Sequence, residues 1–101
     1  MGGLIGFTRI IRTVDATPNG GLILDGGGVG TSYIVSCQDG GFCFNFIVIS
    51  NSGNIKFNII NGSIRTGYSI YVDGEGGKYL KIKSDGIVND KQFIFTYISL
   101  I

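Results

Sequence analysis

The sequence predicts an all-β domain, an antiparallel β-sandwich of jelly-roll-like form with about eight strands. Apolar and polar residues alternate along most of the chain, which is the period of a half-buried strand, and no long window has the spacing of an amphipathic helix. Glycine occurs 18 times and proline once, and isoleucine, which favours pleated surfaces, is abundant. Composition does not change along the 101 residues, so we expect one domain over residues 1–101.

The first three predicted strands are separated by strong turn signals. The first strand is Leu4–Val14, and Thr17-Pro18-Asn19-Gly20 ends it, because proline fixes φ and Asn-Gly accepts a left-handed backbone. A short strand, Leu22–Leu24, leads into the glycine-rich segment Asp25–Gly30. That segment lacks the lysine of a phosphate-binding loop and continues into the predicted strand Thr31–Cys37, so we interpret it as a connecting loop.

The central strands follow one another through short turns. A turn over Gln38–Gly41 leads to Phe42–Ser50, and a second turn leads to Ile55–Ile60. Asn61-Gly62 is a strong signal for a type I′ hairpin, since both central residues of that turn need positive φ. Asn61-Gly62-Ser63 also matches a glycosylation sequon, but we favour the turn. The Asn-Gly pair therefore predicts a hairpin between Ile55–Ile60 and the next strand.

The last three predicted strands are Ile64–Val72, Lys78–Lys83 and Lys91–Ile101, joined by the polar segments Asp73–Gly77 and Ser84–Asp90. Three lysines lie beside Tyr79 in this region. A surface for nucleic acid has such a pattern, and so does an edge strand that lysines protect from aggregation. The formal net charge of +1 favours the second interpretation, and we expect no nucleic-acid partner.

Two predicted strands, Phe42–Ser50 and Lys91–Ile101, carry bulky apolar residues on both faces. A strand with one solvated face alternates apolar and polar residues, so both faces of these strands need a cover. We expect the phenylalanine set to fill the core, because its volume suits the gap between two sheets. The phenylalanine set is Phe44, Phe46, Phe93 and Phe95. We expect the isoleucine set to form a homo-oligomer interface. The isoleucine set is Ile47, Ile49, Ile94 and Ile98.

Histidine is absent, which removes the Ser-His-Asp and Cys-His constellations and the usual nitrogen ligand of zinc. The seven carboxylates lie mostly beside glycine in turns, where catalytic geometry is hard to fix. We therefore expect no hydrolase or transferase activity and no cofactor or metal. Cys37 and Cys43 flank a turn and suit either a disulfide or two free thiols. We favour free thiols, because the amino-terminal residues show no secretion signal.

The order of the later strands resembles a known family. The segments that carry the resemblance are Tyr33–Ser36, Phe44–Ile49, Asn58–Gly62, Tyr68–Asp73 and Lys78–Lys83. Together they resemble the small trimeric β-sandwich head domains of bacteriophage tail fibres, head fibres and capsid decoration proteins. The resemblance implies a non-enzymatic structural or attachment protein of the virion, a homotrimer with other virion proteins as partners, and no insertion into a membrane.

A carbohydrate-binding, lectin-like module is the alternative, and it is the same object if the protein attaches to a host-surface glycan. Sites for saccharides typically combine an exposed aromatic ring with Asp or Asn on loops. Tryptophan is absent, so tyrosines are the candidates. The candidate ligand-binding residues are Tyr68, Tyr71, Asp73 and Tyr79.

Overall fold

The structure, a computed structural model, describes residues 9–26, 31–39, 42–51 and 53–99. Eight β-strands account for most of these residues, with a single-turn 3-10 segment at Glu75–Gly77. The strands are β1 (Arg9–Ala16), β2 (Gly21–Asp25), β3 (Thr31–Asp39), β4 (Phe42–Asn51), β5 (Asn54–Asn61), β6 (Tyr68–Asp73), β7 (Tyr79–Ser84) and β8 (Lys91–Ser99). The prediction of an all-β sandwich of about eight strands is confirmed.

The strands form two antiparallel sheets that pack face to face. The wide sheet has the order β1-β8-β3-β4-β5, and the narrow sheet has the order β2-β7-β6. Pairing of the first strand with the last, and of the second with the seventh, is the nested arrangement of a jelly roll. The middle of the chain departs from it, because β3, β4 and β5 run as a meander within the wide sheet. The jelly-roll-like prediction therefore holds for the outer strand pairs.

Aromatic rings fill the space between the sheets. Phe44 is 3% exposed, and Phe46, Phe93 and Phe95 are fully buried, which confirms that the phenylalanine set forms the core. The Phe46 ring meets the Phe95 ring edge-on, with centroids 6.4 Å apart and planes at 80°. Each buried large side chain stabilises the fold by about 1.5–3 kcal/mol. The narrow sheet supplies the other side of the core through Ile23, Leu80 and Ile82.

Two buried hydroxyl groups connect the sheets. Tyr97 of β8 donates a hydrogen bond to the Ile23 carbonyl of β2 at 2.5 Å. Ser50 of β4 donates to the Gly26 carbonyl at 2.6 Å. Gly26 lies so close to the wide sheet that a Cβ there would be 2.6 Å from atoms of Ser50 and Ile55. A side chain at position 26 would therefore push the two sheets apart.

The predicted hairpin at Asn61-Gly62 is wrong. β5 ends at Asn61 on the edge of the wide sheet, and β6 belongs to the narrow sheet, so the Asn-Gly pair begins a crossover. Gly62 does have a positive φ of 77°, and a Cβ there would lie 2.7 Å from the Cys43 carbonyl oxygen. Since Ile64 turns inward against the core, the predicted strand Ile64–Val72 starts only at Tyr68.

Other strand boundaries differ from the prediction by a few residues. The first strand runs on to Ala16, which is fully buried. The glycine-rich segment leads into β3 rather than a helix, as expected of a connecting loop. The predicted residues 4–8, 27–30, 40–41 and 100–101 lie outside the described part of the chain.

The two cysteines point to opposite faces of the wide sheet. In the β3–β4 register, Cys37 is opposite Phe44 and Cys43 is opposite Gln38. The two cysteines are therefore one register position apart, and successive positions face opposite sides of the sheet. Both are free, as the sequence predicts, with Cys37 buried and Cys43 exposed. Burial raises the pKa of the Cys37 thiol to about 12, and the nearby Asp39 and Cys43 add to the effect.

Alkylation of the native protein at pH 8 is expected to modify Cys43 alone. The Cys37 thiol stays protonated and has no exposed surface, whereas alkylation attacks the thiolate. Mass spectrometry of the intact chain checks this: one adduct is expected in buffer and two in denaturant. The variant Cys43→Ser, which is expected to give no native adduct, is the control. Native modification of Cys37 at a similar rate would contradict the burial described here.

Candidate functional site

Isoleucines lie among polar residues on the outer face of the wide sheet, and we name this surface the isoleucine face. Its members are Ile11, Ile34, Ile47, Ile49, Ile94 and Ile98. The register places Ile98, Ile34 and Ile47 side by side across β8, β3 and β4. Ile49 lies next to Ile47 along β4 and is 50% exposed. Three of the four predicted interface residues, Ile47, Ile49 and Ile98, therefore lie together.

Ile94, the fourth predicted residue, is separated from this row. It is 42% exposed, and the paired residues Thr96, Ser36 and Asn45 lie between it and the isoleucine row. Ile34 and Ile11 are additions that the sequence reading did not single out. Ile34 alternates with inward-facing Tyr33 and Val35, which was a readable signal for an outward apolar position.

The outward positions of β3, β4 and β8 in the described chain carry no formal charge. Besides isoleucine and Cys43, they are occupied by hydroxyl and amide side chains. These are Ser32, Ser36, Gln38, Asn45, Asn51, Gln92 and Thr96. Depletion of charge at the centre distinguishes a buried interface from ordinary surface, so this face suits contact with another apolar surface.

The outer face of the narrow sheet is polar and aromatic, and we name it the tyrosine face. Tyr71, Asp73 and Tyr79, three of the four predicted ligand-binding residues, lie on it. Lys81 is paired with Tyr71 in the register, and its Nζ lies 2.9 Å from Asp73 Oδ2. The hydrogen bond from Lys81, with one from the Gly74 backbone, lowers the pKa of Asp73. The same hydrogen bond raises the pKa of Lys81.

Both tyrosine rings of this face already have neighbours from the chain itself. Lys83 Nζ lies 5.1 Å from the Tyr71 ring centroid, and Lys78 Nζ lies 5.0 Å from that of Tyr79. Gly20 makes room for Tyr71, because a Cβ there would be 2.3 Å from the Tyr71 hydroxyl oxygen. The lysines near Tyr79 thus cover rings of their own sheet, and the groups of the tyrosine face are largely satisfied internally.

Tyr68, the fourth predicted ligand-binding residue, lies on the inner side of β6 and belongs to another site. Its ring packs edge-on against Phe93 at 5.1 Å, and its hydroxyl donates to the Asn89 carbonyl at 2.5 Å. It lines an open cleft of about 540 Å³ at one end of the sandwich, which we name the end cleft. The other lining residues are Arg65, Thr66, Ile87, Val88, Asn89, Asp90 and Lys91.

A buried carboxylate holds two cations of the end cleft. Asp39, at the end of β3, is 5% exposed and forms ion pairs with Arg65 and with Lys91, whose Nζ lies 2.8 Å from Oδ1. Burial by itself would raise the pKa of Asp39. The hydrogen bonds and charges of Lys91 and Arg65 outweigh it and hold that pKa below its ordinary value. The sequence reading missed this group, although Asp39 is in phase with the inward Val35 and Cys37.

The loop that forms the other wall of the end cleft is fixed by hydrogen bonds. Asp85 Oδ1 accepts from the backbone amides of Ile87 at 2.8 Å and Val88 at 3.2 Å. These two bonds lower the pKa of Asp85. The Asp85 amide donates to the Gly67 carbonyl at 2.9 Å, which joins this loop to the crossover on the opposite side.

Within the described residues, no group of three or more His, Cys, Asp or Glu side chains is placed to hold a metal ion. That same part of the chain contains no helix with the length and hydropathy needed to cross a membrane. The three surfaces that remain as functional candidates are the isoleucine face, the tyrosine face and the end cleft.

The Asp39 ion pairs are expected to make stability depend on pH in the acid range. A carboxylate with a lowered folded-state pKa stabilises the fold above its unfolded pKa of about 3.9 and loses this contribution as pH falls through the folded value. Asp39→Asn is expected to reduce the free energy of unfolding at pH 7 by about 1–3 kcal/mol. The figure is modest because the side chains of Arg65 and Lys91 are 39% and 34% exposed and therefore remain partly solvated.

Denaturant unfolding of both proteins between pH 7 and pH 2 measures this effect. The stability difference is expected to shrink towards the acid end. Asp73→Asn, which removes an exposed ion pair, is the matched control and is expected to leave the midpoint near that of the wild type. An Asp39→Asn variant as stable as the wild type at pH 7 would contradict the role assigned to this carboxylate.

Comparison with known proteins provides no family for this chain. No family model matches it, and neither a curated protein nor a solved structure is significantly similar to it. The resemblance to fibre-head domains therefore stays a prediction from the strand pattern.

Proposed function

We propose that this chain is a non-catalytic structural or attachment module that works as a symmetric homo-oligomer in a virus particle. The isoleucine face is the observation that carries the oligomer. Ile98, Ile34 and Ile47 form its central row, Ile49 beside them is 50% exposed, and the three strands between the sheet edges offer no outward charge. A soluble monomer rarely exposes an apolar patch larger than a few hundred Å².

The dimensions of the face support a second copy as its cover. The whole outer side of the wide sheet, five strands spaced about 4.8 Å apart with roughly eight residues each at about 3.4 Å, measures about 650 Å². Its edge strands contribute the charged residues Asp15 and Lys56, so the isoleucine face is the centre of this area. Two such outer sides in contact bury about 1,300 Å², which lies within the roughly 1,200–2,000 Å² of specific interfaces. Face-to-face contact of this kind gives a twofold dimer, whereas in a trimer the isoleucine face of each subunit would meet a different surface of its neighbour. Closed symmetry of either kind ends association at a defined oligomer instead of a fibre.

The setting in a virus particle comes from the resemblance in strand order. It favours a trimer, other virion proteins as partners and, for an attachment role, a glycan on the host surface. Fibre heads and decoration proteins function by geometry and multivalent binding, which agrees with a chain in which no histidine can activate a nucleophile.

Carbohydrate binding is the second candidate function. The observation that favours it is the placement of the predicted ligand-binding tyrosines at polar surfaces, Tyr71 and Tyr79 on the tyrosine face and Tyr68 in the end cleft. An array of immobilised oligosaccharides tests it directly. Failure to bind any saccharide would remove this candidate and leave the oligomer proposal unaffected.

Ile47→Asp is expected to dissociate the oligomer while leaving the subunit folded. The change places a charge at the β4 end of the isoleucine row, beside Ile34 and Ile49, where a stacked copy would have to desolvate it. Phe44→Asp is expected to unfold the subunit, because position 44 is inside the core. Light scattering at tens of micromolar protein gives the mass, and thermal melting reports the fold.

Leu22→Asp is the matched control for this experiment. Leu22 is 38% exposed on the outer face of the narrow sheet, so the same change there is expected to keep the oligomer mass. A wild-type chain that is monomeric at this concentration would overturn the proposal. An Ile47→Asp variant with unchanged mass and unchanged melting would show that the isoleucine face is not the interface.

A further inference from the structure

We infer that the end cleft binds a saccharide, with an uncharged sugar residue as the ligand. This inference rests on the second candidate function and names its site. The cleft opens to solvent between the crossover after β5 and the loop before β8 and has a volume of about 540 Å³. Small-molecule sites are typically clefts that contain a few convergent polar groups.

The residues around the cleft match the hydrogen-bonding needs of a polyol. Asp90 is an acceptor, Asn89 supplies an amide and Thr66 supplies a hydroxyl, beside the Arg65 and Lys91 side chains that Asp39 holds. A sugar has several hydroxyls, each of which both donates and accepts, so together they can pair with groups of both kinds. Ile87, which is 90% exposed, and Val88 add an apolar rim suited to the C–H groups of a sugar ring.

The charges of the cleft favour a neutral ligand. Two cations, Arg65 and Lys91, are matched by two carboxylates, the buried Asp39 and the exposed Asp90. An anionic ligand would be attracted by the two cations but repelled by Asp90, and a cationic ligand would be repelled by Lys91. A ligand with dipoles and no net charge avoids both penalties. The cation excess that attracts nucleic acid is also absent here.

Ion pairs and hydrogen bonds within the chain hold the walls of the cleft in place. Asp39 fixes both cations, and the Asp85 amide joins the two walls through the Gly67 carbonyl. The Tyr68 hydroxyl holds the Asn89 carbonyl, while its ring rests on Phe93. Because these groups are already held in place, less conformational entropy is lost when a ligand binds, which matters for a weak, polar ligand.

The tyrosine face lacks these properties, although it contains more of the predicted residues. Asp73 is already paired with Lys81, and the Tyr71 and Tyr79 rings are each approached by a lysine. A saccharide would have to displace these contacts in order to stack there. The end cleft offers Asp90 and Thr66 in an open cleft instead.

Binding of the full chain to an array of neutral oligosaccharides, printed beside sialylated and uronic-acid chains, tests the inference. The matched variants are Asp90→Ala in the cleft and Asp73→Ala on the tyrosine face, which remove the same group from the two surfaces. Asp90→Ala is expected to weaken binding to neutral chains about tenfold to a hundredfold, as loss of a hydrogen bond to a charged group does. Asp73→Ala is expected to have no effect. Thermal melting verifies that both variants are folded.

Each result separates the proposals. Loss of neutral-chain binding in Asp90→Ala alone supports the inference. Loss of binding in Asp73→Ala alone, or in both variants, overturns the cleft as the site and keeps carbohydrate binding as a function. Binding retained in both variants also overturns the cleft as the site. Binding restricted to acidic chains overturns the neutral ligand. If the wild-type protein binds no chain on the array, both this inference and the second candidate function are overturned.

Discussion

The fold depends on the register that β3, β4 and β8 share at the centre of the wide sheet. Because side chains alternate across a strand, one register places every ring of the phenylalanine set inside and every central isoleucine outside. A slip by one residue would exchange the two sets and place branched chains between the sheets. The buried bonds of Tyr97 and Ser50 to the narrow sheet exist only in the observed register.

The same alternation explains why much of the fold was readable from the sequence. The eight strands and the inward phenylalanines follow from a period of two residues, which local sequence displays directly. The sheet to which each strand belongs does not follow from this period. The Asn61-Gly62 signal, for example, specifies a backbone conformation and does not specify which strand lies next to β5. The positive φ of Gly62 was predictable, but the crossover it begins depends on how Ile64 and Arg65 contact residues distant in sequence.

The candidate site was only partly predictable, although one of the errors was avoidable. Tyr68 and Tyr71 are three residues apart, so a strand must place them on opposite faces, while Tyr71 and Asp73 must share one. The end cleft, by contrast, could not be predicted from strand periodicity. It brings together Arg65, Tyr68 and Lys91 from three segments with a carboxylate from a fourth, and no local pattern shows that convergence.

The three surfaces occupy separate parts of the molecule. The isoleucine face and the tyrosine face are the outer sides of opposite sheets, and the end cleft lies where connecting segments meet. A copy stacked on the isoleucine face would leave both polar surfaces open. Self-association and ligand binding therefore do not compete for the same residues, and an oligomer would present several copies of each polar surface at once.

The pairing of β1 with β8 has a consequence for how quickly the chain can fold. The first described strand is hydrogen-bonded to the last, and β2 to β7, so both pairs close loops spanning most of the sequence. The β3–β4–β5 meander, by contrast, needs only short turns. Loop-closure entropy favours the meander as an early structure and delays the strands that come from the two ends of the chain, which places this protein among slowly folding β-topologies.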